Sequence, residues 1–298
     1  MLSILIPIFN YPIINLVSEL HSQLVLTSVK FEIICIDDAS SNYYLQNKTL
    51  KNLNNVSLKK LPKNIGRSKT RNLLASKAIY DWLLFLDADV IPKGKDFINV
   101  YLKCIESKDA QVFCGGIAYE KKKPESRKML RWVYGKKREE VDLEIRKRNP
   151  YKYFFGANFL IHKSIFETVK FNNRIVKYGY EDVFFAEDIL RNGIKLQHID
   201  NEVYHMGIEL SLVFLNKVKQ AMENLHNLNS QNVLKSDKIK VLKLYKKVHS
   251  YKLNWVFSSV FVVFHKLFEY NLKSKWPSMF IFDVYKLTYL FLLDKKKN

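Results

Sequence analysis

The sequence predicts an α/β domain, built on a mostly parallel central sheet flanked by helices, with a C-terminal helical appendage. Three observations predict it. Apolar runs of strand length alternate with stretches of helical periodicity through the first 120 residues. Acidic residues gather where several of those runs end. Beyond Glu209 strand signals stop and helical ones continue.

SILIPI is a continuous apolar run with no basic stretch ahead of it, so it reads as a first strand and not as a signal peptide. In residues 12–29, Ile13, Leu16, Val17, Leu20 and Leu24 recur at helical spacing. FEIICID is a second strand and runs into DDASSN, which has turn composition. Residues 43–53 read as a short helix, VSLKKL as a third strand and 67–79 as a helix. DWLLFLDAD is a fourth strand ending in acids, 97–105 is helical, and AQVFCGG closes the series. Strands alternating with helices imply right-handed crossovers, and ligands then bind at the carboxyl ends of the strands. Phe9, Asp37, Asp38, Asp87 and Asp89 all fall at such ends.

After Gly116 the alternation breaks. Residues 119–150 are highly charged and read as a surface excursion or helical lid. Order returns at YFFGANFLIHKSIF, a strand with a helix starting at Ser164; a helix over 181–192 and strands at IKLQHID and NEVYHMG follow. The expected division is a first domain over 1–208, in halves that meet at 116, then the basic amphipathic region 209–298.

Hydrophobic residues make up 48% of the 298 and charged ones 26%, enough apolar mass for a core and against disorder. The net charge of +20 suits nucleic acid, an anionic membrane or phosphorylated substrates; solvated lysine faces are the plainer account. From Glu209 onward there are 16 Lys, no Arg and 6 acidic residues, and a second basic cluster spans 121–148. Cys35, Cys104 and Cys114 lack metal-ligand spacing and read as reduced thiols in a cytosolic protein.

Four groups of residues carry chemistry. In LDAD, Asp87 and Asp89 follow an apolar strand at a spacing that lets both meet one Mg²⁺ or Mn²⁺ ion and a diphosphate; polar turns after strands have the same composition. Asp37 and Asp38 either cap the next turn or bond a base and ribose. Glu181 and Asp182 either complement a helix dipole or supply a general base. His205, in VYHMG, is either structural or a metal ligand.

Taken in order, SILIPIFN, ICIDDASSN, NIGRSKTRN, LLFLDADVIP, GANFLIHKSIF, YGYEDVFF and VYHMG resemble the successive motifs of family two glycosyltransferases with the glycosyltransferase A fold, over roughly residues 1–208. The resemblance implies an inverting, metal-dependent transfer from a nucleotide-diphosphate sugar, by the family's habit a UDP-sugar, to a glycan or lipid-linked acceptor in cell-surface polysaccharide synthesis. It makes 1–208 the catalytic domain, with a nucleotide-binding half to 116 and an acceptor-binding half over 117–208. Position by position, Phe9 matches the aromatic near the nucleobase and Asp38 the acid that bonds it, with Asp37 beside it. Pro7, Asn64, Gly66, Arg71, Asp87 and Ala88 fall on donor-binding positions. Asp87 and Asp89 match the Mn²⁺ or Mg²⁺ motif, Asp89 the more direct ligand, and His205 resembles a histidine that completes the metal site in some members. Asp182 matches the catalytic base and Glu181 its acceptor-orienting neighbour. Two departures, Ala39 for the usual glycine and Thr70 for the usual small residue, leave the acids intact.

In the appendage, residues 255–270 place Ser258, Ser259, His265, Lys266 and Glu269 within one arc of about 120°, the rest being apolar and aromatic. Residues 276–293 are broken only by Ser278, Asp283, Lys286 and Thr288. Trp255, Phe257, Phe261, Phe264, Phe268, Trp276, Phe280 and Phe291 between lysine clusters suggest interfacial helices on an anionic membrane. The alternative is packing on the catalytic domain or on a second subunit, as in a homodimer. A transmembrane span is disfavoured, since Asp283 and Lys286 would each cost roughly 2.5–3.5 kcal/mol at mid-bilayer. The expected location is cytoplasmic, peripheral at the inner face of the cell membrane. Nucleic acid is not the expected partner, because no recognition motif accompanies the charge; a non-catalytic sugar-nucleotide binder is the remaining rival.

Overall fold

A computed structural model of the chain describes residues 1–107, 109–173, 175, 179–230 and 239–295. Tyr178 of YGYEDVFF, together with Lys235, Ser236, Lys238, Lys296 and Lys297 of the basic clusters, lies outside the described residues. The chain divides into two compact units.

The first unit comprises 1–120, 138–176 and 181–207. In chain order its strands are β1 (Leu2–Ile8), β2 (Phe31–Asp37), β3 (Val56–Lys60), β4 (Trp82–Leu86), β5 (Val90–Pro92), β6 (Val112–Cys114), β7 (Ile117–Ala118), β8 (Asn158–His162), β9 (Leu196–His198) and β10 (Val203–His205). Its helices are α1 (Ile14–Leu24), α2 (Tyr44–Asn47), α3 (Arg67–Lys77), α4 (Phe97–Ser107), α6 (Leu143–Arg148), α7 (Lys163–Val169) and α8 (Glu181–Arg191), with α5 (Met129–Arg138) falling almost wholly in the second unit. Seven strands form one sheet in the order β3-β2-β1-β4-β8-β6-β9. All pairings in it are parallel except those of β8, which runs antiparallel to both neighbours. β1 is buried over nearly its whole length, as its uninterrupted apolar run requires for a strand covered on both faces.

A second sheet, β5-β10-β7, is short. Neither β5 nor β7 was expected from the sequence, since runs of three and two residues carry no readable period. Their pairing with β10 sets His205 opposite Val90. The core beneath the large sheet is aromatic. Phe85 stacks on Phe159 at 4.8 Å and Phe171 on Phe185 at 4.2 Å, so β4, β8 and α8 meet through offset rings. Cys35 and Cys114 are buried free thiols, and burial pushes Cys35 up to about 12.

The second unit comprises 121–137, 177–180 and 208–298. Residues 121–137, expected in the acceptor-binding half, therefore group with the C-terminal helices. Those are α9 (Ser211–Ser230), α10 (Lys240–Ser250), α11 (Asn254–Leu272) and α12 (Met279–Lys295). α11 packs along α12 through Phe261, whose ring meets those of Tyr285 and Tyr289 at 5.3 and 5.2 Å. Among the described residues no helix is long and apolar enough to cross a membrane.

Candidate active site

Two clusters form at the carboxyl ends of the parallel strands. The first is built around arginine. Arg67 and Arg71 lie one turn apart on α3 and so share a face. Arg71 is fully buried. Its Nη2 donates to Asp87 Oδ1 at 2.9 Å and to the Gly156 carbonyl at 3.0 Å, its Nη1 to Asp182 Oδ1 at 3.2 Å. The guanidinium also lies 4.8 Å above the Phe171 ring, which extends the aromatic core up to the site. Arg67, 38% exposed, donates to Asp87 Oδ2 and, at 3.3 Å, to Glu181 Oε1. Buried charge here is compensated pair by pair, as a low-dielectric interior demands.

Asp182 stands in the first turn of α8 and accepts the Gly156 N–H on Oδ2 at 2.9 Å. Its side chain remains 27% exposed, so one edge of the carboxylate is open to solvent. Burial raises its pKa above the usual aspartate value; Arg71 opposes that and the charge of Glu181 adds to it. A Cβ on Gly156 would stand 2.5 Å from Asp182 Oδ1 and 2.9 Å from Arg71 Nη2, so any other residue would force the carboxylate and the arginine apart.

The second cluster is built around histidine. The β5–β10 pairing and a 2.8 Å bond from the Met206 N–H to the Asp89 carbonyl bring His205 Nε2 to 3.4 Å from Asp89 Oδ2. The imidazole stacks on Tyr119 at 5.4 Å, and Tyr119 is anchored by its hydroxyl on Glu139 and by its backbone N–H on Glu140 Oε2. Gly207 lets Asp89 approach, since a Cβ there would lie 2.4 Å from Oδ2. Burial, then the charge of Asp89, pushes the Tyr11 phenol up to about 12.

Asp87, Asp89 and His205 do not converge. Both Asp87 oxygens serve the arginines, and among the described residues no three acidic, histidine or cysteine side chains are grouped to hold a metal ion. Asp89 and His205 alone form a two-ligand donor set of carboxylate and imidazole. That set fits Mn²⁺ or Mg²⁺, which are commonly bound by few protein groups and completed by phosphate oxygens and water.

The remaining expected positions lie in or just past β1, at the end of β2, after β4 and just before α3. Phe9 is 56% exposed just past β1. Pro7 lies within β1 opposite Ile36, and Ala88 is half-buried between the two aspartates. Asp38 accepts the backbone N–H groups of Ile65 at 2.7 Å and Gly66 at 2.9 Å, and its own carbonyl takes the Asn64 amide at 3.1 Å. Asp38 therefore holds the loop that starts α3. Asp37 is fully buried; Oδ1 accepts the Ser40 N–H at 2.7 Å while Oδ2 has no hydrogen-bond partner. Directly after the two acids, Ala39 takes a positive φ of 61°, the conformation a glycine would adopt without strain. Sequence reasoning missed Arg67, Tyr119 and Glu139. Arg67 was findable, because it precedes Arg71 by one helical turn; Tyr119 and Glu139 were not, because only the fold stacks the first on His205.

A sequence profile of glycosyl transferase family 2 matches residues 3–170. The chain belongs to glycosyltransferase family 2. Its fold is the glycosyltransferase A fold. The family 2 chain superposes on residues 1–349 of TarS from S. aureus with a TM-score of 0.52 at 15% identity, covering all of this chain and 92% of that one. TarS 1–349 in complex with UDP-GlcNAc gives 0.51 at 15% identity over the same shares. The mannosyltransferase PcManGT from Pyrobaculum calidifontis, in complex with GDP-Man and Mn²⁺, gives 0.56 at 11% identity, covering all of this chain and 86% of that one. A search of curated proteins finds no match.

Proposed function

We propose that this transferase moves a sugar from a nucleotide-diphosphate donor to a hydroxyl of a glycan or lipid-linked acceptor, with inversion, in cell-surface polysaccharide synthesis. The observation that carries the proposal is Asp182, a partly exposed carboxylate in the first turn of α8, held by Arg71 and the Gly156 N–H. UDP-GlcNAc and GDP-Man in the complexes of TarS and PcManGT support the donor class, and the family's habit favours UDP.

Each residue then has a task. Phe9, exposed just past β1, stacks on the base, and buried Asp37, next to it through the Ile8–Asp37 register, holds the turn there through the Ser40 N–H. Asp38, through Asn64 and Gly66, keeps the start of α3 facing the diphosphate, where Arg67 offers the exposed positive charge. Asp89 and His205 would hold the divalent cation, which when bound offsets the negative charge of the leaving diphosphate. Asp87 keeps Arg71 in place. Asp182 takes the proton from the acceptor hydroxyl as that oxygen bonds to the anomeric carbon and the diphosphate departs. Arg71 keeps the carboxylate ionised for that step, and Glu181 orients the acceptor. One displacement inverts the anomeric centre. The basic second unit keeps the enzyme peripheral at the cytoplasmic face of an anionic membrane, where a lipid-linked acceptor resides.

A screen of UDP- and GDP-sugars by thermal shift with Mn²⁺ present identifies the donor; at a hundred times its dissociation constant a donor adds about 2.7 kcal/mol of stability. Asp89→Ala is expected to abolish turnover and weaken nucleotide-diphosphate binding. Full activity of that variant, measured as released nucleotide, would refute the metal-dependent reading.

A further inference from the structure

α11 is turned the wrong way round for a helix that packs only within its own chain. Ser258 is 4% exposed and faces inward, and Glu269 is engaged from inside by Lys219 at 3.0 Å and by the Tyr285 hydroxyl at 2.9 Å. Meanwhile Trp255, Val262, Val263, Leu267 and Tyr270 stand between 54 and 77% exposed. On a helical wheel these five, with Ser259 and Lys266 among them, fill a continuous outward arc of roughly 140°. The chain continues from this face into Trp276 and Phe280, 74 and 77% exposed. Single exposed apolar residues are ordinary, but a contiguous helix face of them is a surface awaiting an occupant.

The charge around the face selects the occupant. Lys266 and Lys273 fall on or beside the same arc by helical spacing, Lys252 stands in the turn just before the helix, Lys275 follows it, and Lys123 reaches over the Trp276 ring at 5.1 Å. The region from Glu209 onward carries 16 Lys against 6 acidic residues, so two copies meeting through it would oppose like charges. An anionic lipid surface is complementary to those lysines. Its headgroup zone also suits Trp and Tyr, whose rings are apolar and whose N–H or O–H stays wet. No described helix is able to span the bilayer, so the contact lies in its surface.

We infer that the outward face of α11, extended by Trp276 and Phe280, is the site at which this chain docks on an anionic lipid bilayer. The inference rests on the peripheral attachment proposed above and locates it; it does not depend on the identity of donor or acceptor. Apolar side chains enter the headgroup boundary while the lysines lie along phosphate groups.

Flotation of the full chain tests it, with phosphatidylglycerol–phosphatidylethanolamine vesicles against neutral phosphatidylcholine vesicles. The full chain floats with the anionic vesicles only. Val263→Asp combined with Leu267→Asp places charge on positions already exposed, so helix content and donor-induced thermal shift stay unchanged while flotation is lost. Lys252→Gln, Lys266→Gln and Lys275→Gln together weaken vesicle binding roughly a hundredfold at low salt. Unchanged flotation of the Asp variant would overturn this site while leaving peripheral attachment standing. Absence of flotation for the full chain would overturn both, and leave glycosyl transfer to its own assay. A full chain that sediments as a dimer without binding vesicles, with the Asp variant monomeric, would assign the face to a second copy and overturn the lipid inference.

Discussion

Arg71 and Arg146 are both buried, 0 and 1% exposed, yet each is held by different means. Arg71 sits between two carboxylates, Asp87 and Asp182, at 2.9 and 3.2 Å. Among the described residues Arg146 has no carboxylate nearer than Glu202 at 3.9 Å. It donates instead to the Val141 carbonyl at 3.0 Å and to His198 Nδ1 at 3.2 Å, with the carbonyls of Cys114 and Ile199 at 3.5 and 3.4 Å. Burial lowers the Arg146 pKa, with Glu202 opposing. His198 bears the consequence. Its Nε2–H donates to the Pro150 carbonyl at 2.9 Å, so Nδ1 must stay bare to receive the arginine. Burial chiefly, and Arg146 in addition, hold it down at about 4. Ion pairing thus fixes charge at the reacting end of the sheet, while dipoles and a neutral imidazole fix it on the structural side.

The largest expected effect comes from breaking the first arrangement at its reactive member. Asp182→Asn keeps the shape, and its amide oxygen can accept the Gly156 N–H, but it cannot take a proton, and turnover is expected to fall by ~10²–10⁴-fold with donor affinity nearly unchanged. As the proposed base, the same carboxyl is expected to set the acid limb of the rate. Because its pKa is raised, the rate is lost on acidification at a pH above the ordinary aspartate value of about 3.9. An acid limb at or below that value would remove Asp182 as the base. An active Asp182→Asn beside a dead Glu181→Gln would exchange the roles of the pair.

Arg71→Met comes next. It leaves Asp87 and Asp182 without their shared buried cation, and the cost is expected at ~3–5 kcal/mol in urea unfolding. A loss below about 1 kcal/mol would mean that Arg67 alone compensates Asp87.

The smallest of the three sharpens the contrast through pH. His198 is neutral when folded down to about pH 4 but takes a proton near 6.5 when unfolded. Between those values the unfolded chain binds the extra proton, so stability falls as pH drops through the window, by about 3 kcal/mol in total. Unfolding midpoints at neutral pH and near pH 4.5 measure it, and His198→Gln flattens the difference. Arg146→Met raises the His198 pKa by removing the facing cation. A titration that leaves it in place would show that burial alone sets the value.

Several of these arrangements were legible in the sequence and others were not. β1, β2 and β4 announce themselves as apolar runs, and α1 by its spacing, because each buries a face large enough to impose a period. The reversed direction of β8 leaves no such mark; strand direction depends on where the chain returns from, and GANFLIHKSIF has the same composition either way. At the site, the order of motifs pointed to Asp87, Asp89, Asp182 and Arg71. What it did not reveal is that two carboxylates separated by one residue go to different partners, one to arginines and one to a histidine. Arg146 was hidden for another reason. It belongs to the basic cluster 121–148 that reads as a solvated face, yet Arg131 and Arg146 from that cluster are 6 and 1% exposed. Composition counts charges and cannot say which of them turn inward.

The single reversed strand also bears on how the sheet assembles. β1, β2 and β3 pair in parallel through successive short crossovers, and β4 adds to β1, so half the sheet closes between neighbours along the chain. β6 and β9 have no bond to that half except through β8. Joining Leu86 to Asn158 closes a long loop, whose entropic cost falls due before its contacts form. The β3-β2-β1-β4 half is thus the part expected to fold early, and β8 is the seam that sews the far edge onto it. Core truncations within β8, at Phe159 or Leu160, would then show mainly as faster unfolding and those in β1 as slower folding.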